Sequence, residues 1–226
     1  MKKIFCLILL FAMLVTGTSA MAETSDISRF ADYTDVDLDV FINKGYSCSY
    51  DDFDFSAELA PADDTILLDS FYDSTIQMDI KVLYSAGSCA LIPRLIFYTG
   101  GITISEVYIR NGGNRYIIDV SDCSRYDDTV VSVKPIHKGG KIMLEDLALY
   151  PQTIDVKMGV LREYTLTDAD QELISQFYND CLEAGIFDQE FMSNTDDYSI
   201  RTLFNENTVV ATENEVVEET TSDGEQ

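Results

Sequence analysis

Residues 75–84 read TIQMDIKVLY, with Ile76, Met78, Ile80, Val82 and Tyr84 set against Gln77, Asp79 and Lys81. Apolar residues at every second position fit a half-buried strand and not a helix, because only a strand sends successive side chains to opposite faces. A strand of this length leaves N–H and C=O groups along both edges that need partners. The chain must therefore build a sheet, and the next segments supply it. CALIPRLIFY (89–98), ITISEVYIR (102–110), NRYIIDVSDC (114–123) and VVSVKPI (130–136) read as further strands. Gly100-Gly101 and Asn111-Gly112-Gly113 separate three of them, and Asn and Gly tolerate the positive φ angles of tight hairpin loops. Pro93 has no N–H for a ladder, which predicts an edge strand or a bulge there. ITISEVYIR, taken as one strand, puts Ile102, Ile104, Glu106 and Tyr108 on one face. The run is expected to form an antiparallel meander.

The pattern changes after residue 137. KGGKIMLEDLALYPQ (138–152) reads as flexible around its glycines and then as a short helix with Leu144, Leu147 and Ala148 on one side, ended by Pro151. TIDVKMGVLREYTLT (153–167) reads as two short strands around Gly159. Thr167 and Asp170 have the spacing of a capping box, with Asp in place of the usual Glu or Gln. Leu173, Ile174, Phe177, Cys181 and Leu182 then line one helical stripe, and Gly185 is the natural stop. Strands followed by helices predict an α+β fold, an antiparallel β meander with helices packed on one sheet face; a β-sandwich is the alternative.

DYTDVDLDV (32–40) sets Asp35, Asp37 and Asp39 two apart. A calcium loop starting at Asp35 would need Gly at its sixth position and Glu at its twelfth, and finds Val40 and Tyr46. The alternation with Val36, Leu38 and Val40 predicts a strand with a wet acidic face. The competing reading is a helix capped by Thr34 and stopped at Lys44-Gly45.

The ends predict the compartment. Lys2 and Lys3, the apolar run Ile4–Val15 and Ala20-Met21-Ala22 have the form of a signal peptide over 1–22, with the mature chain starting at Glu23. Residues 23–204 are then one globular domain, and 205–226, with no aromatic or basic residue, form a disordered acidic tail. The expected localisation is extracellular, secreted or associated with the cell surface, with no membrane span once the signal is removed.

Forty acidic residues against 15 Lys and Arg give a formal charge of −25, which argues against nucleic acid and favours a cationic partner, protein or glycan. The chain has one histidine, His137, in a Gly- and Lys-rich loop, and no nucleophile elbow or cysteine-protease signature. Neither a metal site nor a cofactor is expected. Export and the cysteine content together predict a disulfide among Cys48, Cys89 and Cys123, with Cys181 a core thiol. Tyr98, Tyr108, Arg110, Arg115 and Tyr116, in and around the Asn111-Gly112-Gly113 hairpin, are the residue types favoured at binding surfaces. The function expected from the sequence is a non-catalytic binding domain. A carboxylate-based extracellular hydrolase and a structural envelope protein are the alternatives.

Overall fold

The computed structural model describes residues 35–51, 56–62, 64–71, 74–85, 90–122, 124–127, 130–135, 138–161, 163–189 and 200–203. The signal peptide and acidic tail expected from the sequence lie outside them. The described residues open with helix α1 (Leu38–Asn43), then strands β1 (Ser47–Asp51), β2 (Ser56–Ala60), β3 (Thr65–Phe71), β4 (Ser74–Ser85) and β5 (Ala90–Thr99). A hairpin of β6 (Glu106–Asn111) and β7 (Asn114–Asp119) follows, then β8 (Ser124–Asp127) and β9 (Val130–Val133). Helix α2 (Lys138–Leu149) leads to β10 (Ile154–Met158), β11 (Glu163–Thr165), helix α3 (Asp168–Glu183) and β12 (Ile200–Leu203).

All pairings among the described residues are antiparallel, but the strand run is divided between two sheets. The first has the order β1-β2-β4-β5-β9-β8, with β3 also on β4; the second has the order β11-β10-β6-β7-β12. The TIQMDIKVLY segment is β4, the spine of the first sheet. Residues 76–85 pair with β5 on one edge, while β2 and β3 share the other. Its alternate residues Ile76, Met78, Ile80, Val82 and Tyr84 are all buried, as period two requires. ITISEVYIR is shorter as a strand than its pattern predicts. Pairing starts at Glu106, so Ile104 is buried before the strand begins, while Glu106 and Tyr108 are only half-buried.

Pro93 sits where β5 loses its neighbour. The pairing of β5 with β9 runs from Tyr98 to Leu95 and goes no further. Beyond it, the Gln189 side chain replaces a strand: its amide donates to Leu91 O at 2.8 Å and its carbonyl accepts from Leu91 N at 3.1 Å. The N–H of Leu91 thus points away from β4, and a donor at Pro93 would point the same way, into the gap between Gln189 and β9. A residue without a donor fits that gap.

Two helices correct the sequence reading. Residues 38–43 are helical, not extended. Asp37, rather than Thr34, supplies the cap, accepting from Asp39 N at 3.0 Å, and Gly45 with φ of 77° follows the last turn. Six residues cannot hold a helix alone. Burial of Leu38, Val40 and Phe41 stabilises it, at about 1.5–3 kcal/mol for each large side chain. Helix α2 starts at Lys138, so Gly139 and Gly140 are its first turn and not a loop.

The cause at Gly140 is steric: a Cβ there would lie 2.6 Å from Pro135 Cα and 3.2 Å from its carbonyl carbon. Gly140→Ala should therefore destabilise the fold by about 1–2 kcal/mol, because overpacking outweighs the gain of up to about 1 kcal/mol in helix propensity. Denaturant unfolding checks the sign, and a stabilised variant would contradict this packing account.

The capping box of α3 forms as expected, with Thr167 Oγ1 and Asp170 Oδ2 each serving the other's backbone N–H. Ile174, Phe177 and Cys181 face inward, but Leu182 is 51 % exposed and leaves the expected stripe. The two sheets and three helices contribute to one apolar cluster, in which Phe97, Ile109, Tyr116, Leu144 and Phe177 are the large members.

Candidate functional site

The β6–β7 hairpin organises the second sheet. Asn111 pairs with Asn114 across Gly112 and Gly113, and Gly112 takes a φ of 55°. Positive φ at the first of two loop residues is the pattern of a type II′ turn, whose twist matches the strands it joins. Val107, Ile109, Asn111, Asn114, Tyr116 and Ile118 are buried on one side of the hairpin. Tyr108, Arg110, Arg115 and Ile117 alternate with them and face outward.

Strand register turns this alternation into a surface. Across β11, β10, β6, β7 and β12, one row reads Thr165, Asp155, Arg110, Arg115, Leu203, and the next reads Glu163, Lys157, Tyr108, Ile117, Arg201. Eight of these ten residues, all but Thr165 and Arg201, line an open groove of about 290 Å³. Its floor carries the apolar surface of Tyr108, Ile117 and Leu203, and its cations are Arg110, Arg115 and Lys157.

The charges on this face are unequally committed. Arg110 donates to Asp155 Oδ2 through Nε at 3.0 Å and Nη2 at 2.6 Å, and to Glu163 at 3.0 Å. Asp155, 4 % exposed, also accepts from Thr165 Oγ1 at 2.6 Å, so this carboxylate ties β6, β10 and β11 together. At the lower edge Arg201 Nη2 lies 2.6 Å from Glu106, which also accepts from Tyr108. Both groove carboxylates, Asp155 and Glu163, are thus engaged by Arg110. Arg115 and Lys157 make no ion pair among the described residues, although the chain has far more acids than bases.

The structure brings together three of the five sequence candidates, Tyr108, Arg110 and Arg115. Tyr116 lies behind the groove: it is fully buried, and its hydroxyl donates to Asp146 of α2 at 2.7 Å. Burial pushes its phenol pKa well up. A tyrosine one residue from an exposed arginine in a strand faces the other way, which the period-two rule already implied. Tyr98 lies on the first sheet, half-buried beside Asp79 and Lys81. Lys157, Ile117, Arg201 and Leu203 were missed, because only the register of β10 and β12 against the hairpin brings them alongside.

The buried carboxylates outside the groove are also occupied. Asp79 accepts from Thr65 and Gln77 at 3.0 Å, with Lys81 at 3.4 Å. Asp180 accepts from Lys44 at 2.6 Å and Tyr46 at 2.9 Å. No group of three or more His, Cys, Asp or Glu side chains is placed to hold a metal ion among the described residues. Cys48 is half-buried against the core and Cys181 is a buried thiol whose pKa burial pushes up. Cys89, Cys123 and His137 lie outside the described residues. No described helix is long and apolar enough to cross a membrane. No protein-family model matches the chain, and neither does any curated protein or solved structure.

Proposed function

We propose that the chain is an exported, non-catalytic binding domain whose second sheet takes an anionic ligand on its outer face. In this reading the helices cover the inner face of that sheet. The bonds from Asn111, Asn114 and Tyr116 to Asp146 of α2 support this arrangement. The observation that carries the ligand class is the pair Arg115 and Lys157, two cations without carboxylate partners among the described residues, Lys157 beside Tyr108 in its row and Arg115 next to Ile117 in the adjacent row. The sign is opposite to that expected from the net charge. At 0.1 M salt fields between exposed charges are screened beyond about 10 Å, so an incoming carboxylate responds to the nearby cations more than to the remote acids. A carboxylate-bearing peptide with some apolar surface fits the floor and the two cations together.

Hexaglutamate titrated into the full chain should shift the backbone amide resonances of Tyr108, Arg115, Ile117 and Lys157 at millimolar peptide. Arg115→Glu with Lys157→Glu should remove the shifts without lowering the melting temperature by more than a few degrees, because both side chains reach solvent. Hexalysine should leave these amides in place. If hexalysine moves them and hexaglutamate does not, the face binds cations and the reading is wrong.

A further inference from the structure

We infer that the occupant of this groove is the chain's own acidic segment Glu213–Glu219, with which an external acidic ligand must compete. The inference rests on the reading of the face as an anion-binding surface.

Three observations point to it. First, the tail leaves from the groove itself. Leu203, the last residue of β12, pairs with Arg115 and is 53 % exposed on the groove floor. Second, the reach is sufficient. Arg115 and Lys157 are two strand spacings and one row apart, about 12 Å at roughly 4.8 Å per strand and 3.3 Å per residue. Residues 204–212 can extend to about 30 Å at 3.3–3.6 Å each. Third, the sequence is complementary to the face. Residues 213–219 read ENEVVEE, placing Val216-Val217 between Glu213 and Glu215 on one side and Glu218 and Glu219 on the other. The groove offers the same two chemistries, apolar surface at Tyr108, Ile117 and Leu203 and cations at Arg115 and Lys157.

Tethering does the rest. A segment on a linker of this length meets its site at an effective concentration of about a millimolar. A segment whose free form binds with a dissociation constant on the order of 0.1 mM would then weaken an external competitor about tenfold. Because exposed charges make the contacts, the tail's competition should be lost in high salt. An acidic tail thus supplies both solubility and a threshold that a ligand must exceed.

The test keeps the chain at full length. In one variant the seven tail carboxylates are neutralised: Glu206→Gln, Glu213→Gln, Glu215→Gln, Glu218→Gln, Glu219→Gln, Asp223→Asn and Glu225→Gln. Fluorescein-labelled peptide 205–226 is the probe, with anisotropy as the readout at 50 mM and 500 mM salt. The neutralised chain should bind the peptide about tenfold more tightly than the native chain at low salt, and the difference should vanish at high salt. Adding Arg115→Gln and Lys157→Gln should abolish the gain. Equal, measurable binding by the native and neutralised chains would overturn the tail inference and leave the anionic-ligand reading standing. Absence of binding by the neutralised chain at low salt would remove both. A tighter neutralised chain that is indifferent to the two glutamine substitutions would place the tail elsewhere and overturn the inference.

Discussion

Asp180→Ala is expected to destabilise the protein by about 3 kcal/mol. The carboxylate is 1 % exposed, on the inward side of α3, and it receives Lys44 Nζ at 2.6 Å and Tyr46 OH at 2.9 Å. Those two residues flank the turn between α1 and β1, so one carboxylate fixes the start of the first sheet to helix α3. The same junction also carries Asp37 N to Ala184 O at 2.9 Å and Lys44 Nζ to Glu183 at 2.6 Å. Removing one partner of a buried pair costs about 3–5 kcal/mol when the other charge is left buried. Lys44 keeps Glu183 at 2.6 Å and is one-third exposed, which places the loss at the lower end. The buried Tyr46 hydroxyl has no such alternative, and stranding it contributes about 1–3 kcal/mol. Asp180→Asn, which can still accept from Tyr46, should lose less.

The same contact has a pH signature. Bonding to Asp180 and then Glu183 raises the Lys44 pKa, while burial and then the Asp180 bond raise that of Tyr46. Groups whose folded pKa lies above the unfolded value stabilise fully below the unfolded value, and that contribution declines as pH rises beyond it. Stability should therefore hold to about pH 10, the ordinary tyrosine value, and fall above it. In Asp180→Ala the fall should be shallower. Melting temperatures between pH 8 and pH 11 test this, and parallel curves for the two proteins would dissociate Asp180 from the alkaline transition.

The elements legible in the sequence are those fixed by local pattern. Alternation in 75–84 gave β4, Asn111-Gly112-Gly113 gave the hairpin, and Thr167 with Asp170 gave the start of α3. Elements fixed by distant contacts were misread. The aspartates of 35–39 alternate like a strand, yet Phe41 enters the core and Lys44 reaches Asp180, 136 residues away, so the tertiary contacts favour a helix. The glycines at 139–140 suggest a loop, but the smallness of Gly140 serves the approach of Pro135, not flexibility. At the candidate site, Tyr108, Arg110 and Arg115 were visible as residue types beside a turn. Lys157 and Leu203 were not, since nothing local to β10 or β12 announces which strand it will lie beside.

The second large effect is expected at Asp146, on the far side of the sheet from the groove. Its carboxylate accepts from Asn111 Nδ2 at 3.0 Å, Asn114 Nδ2 at 3.1 Å and Tyr116 OH at 2.7 Å, and all three donors are buried. Asn111 is secured independently. It donates to the carbonyls of Asp146 and Tyr150 at 3.0 and 3.1 Å and accepts from Gln152 N at 2.7 Å, closing the end of α2 onto the hairpin. Asp146→Ala therefore strands chiefly Asn114 and Tyr116. At about 1–3 kcal/mol for each buried donor left without an acceptor, the loss should be about 3 kcal/mol. Tyr116→Phe removes one donor and leaves a half-buried carboxylate that water can reach, so it should cost about 1 kcal/mol. In the Tyr116→Phe background, Asp146→Ala should cost about 1–2 kcal/mol less than in the native chain, the coupling expected of residues in direct contact. Strict additivity would show that the hydroxyl finds another partner when the carboxylate is gone. The consequence reaches the outer face, because Arg110 and Arg115 are the immediate chain neighbours of Asn111 and Asn114 and inherit their position. Asp146→Ala should thus weaken the hexaglutamate response of the groove, although Asp146 does not line it, while Tyr116→Phe should leave that response nearly intact. An unchanged response in folded Asp146→Ala would mean that the hairpin holds its outer face without the helix behind it.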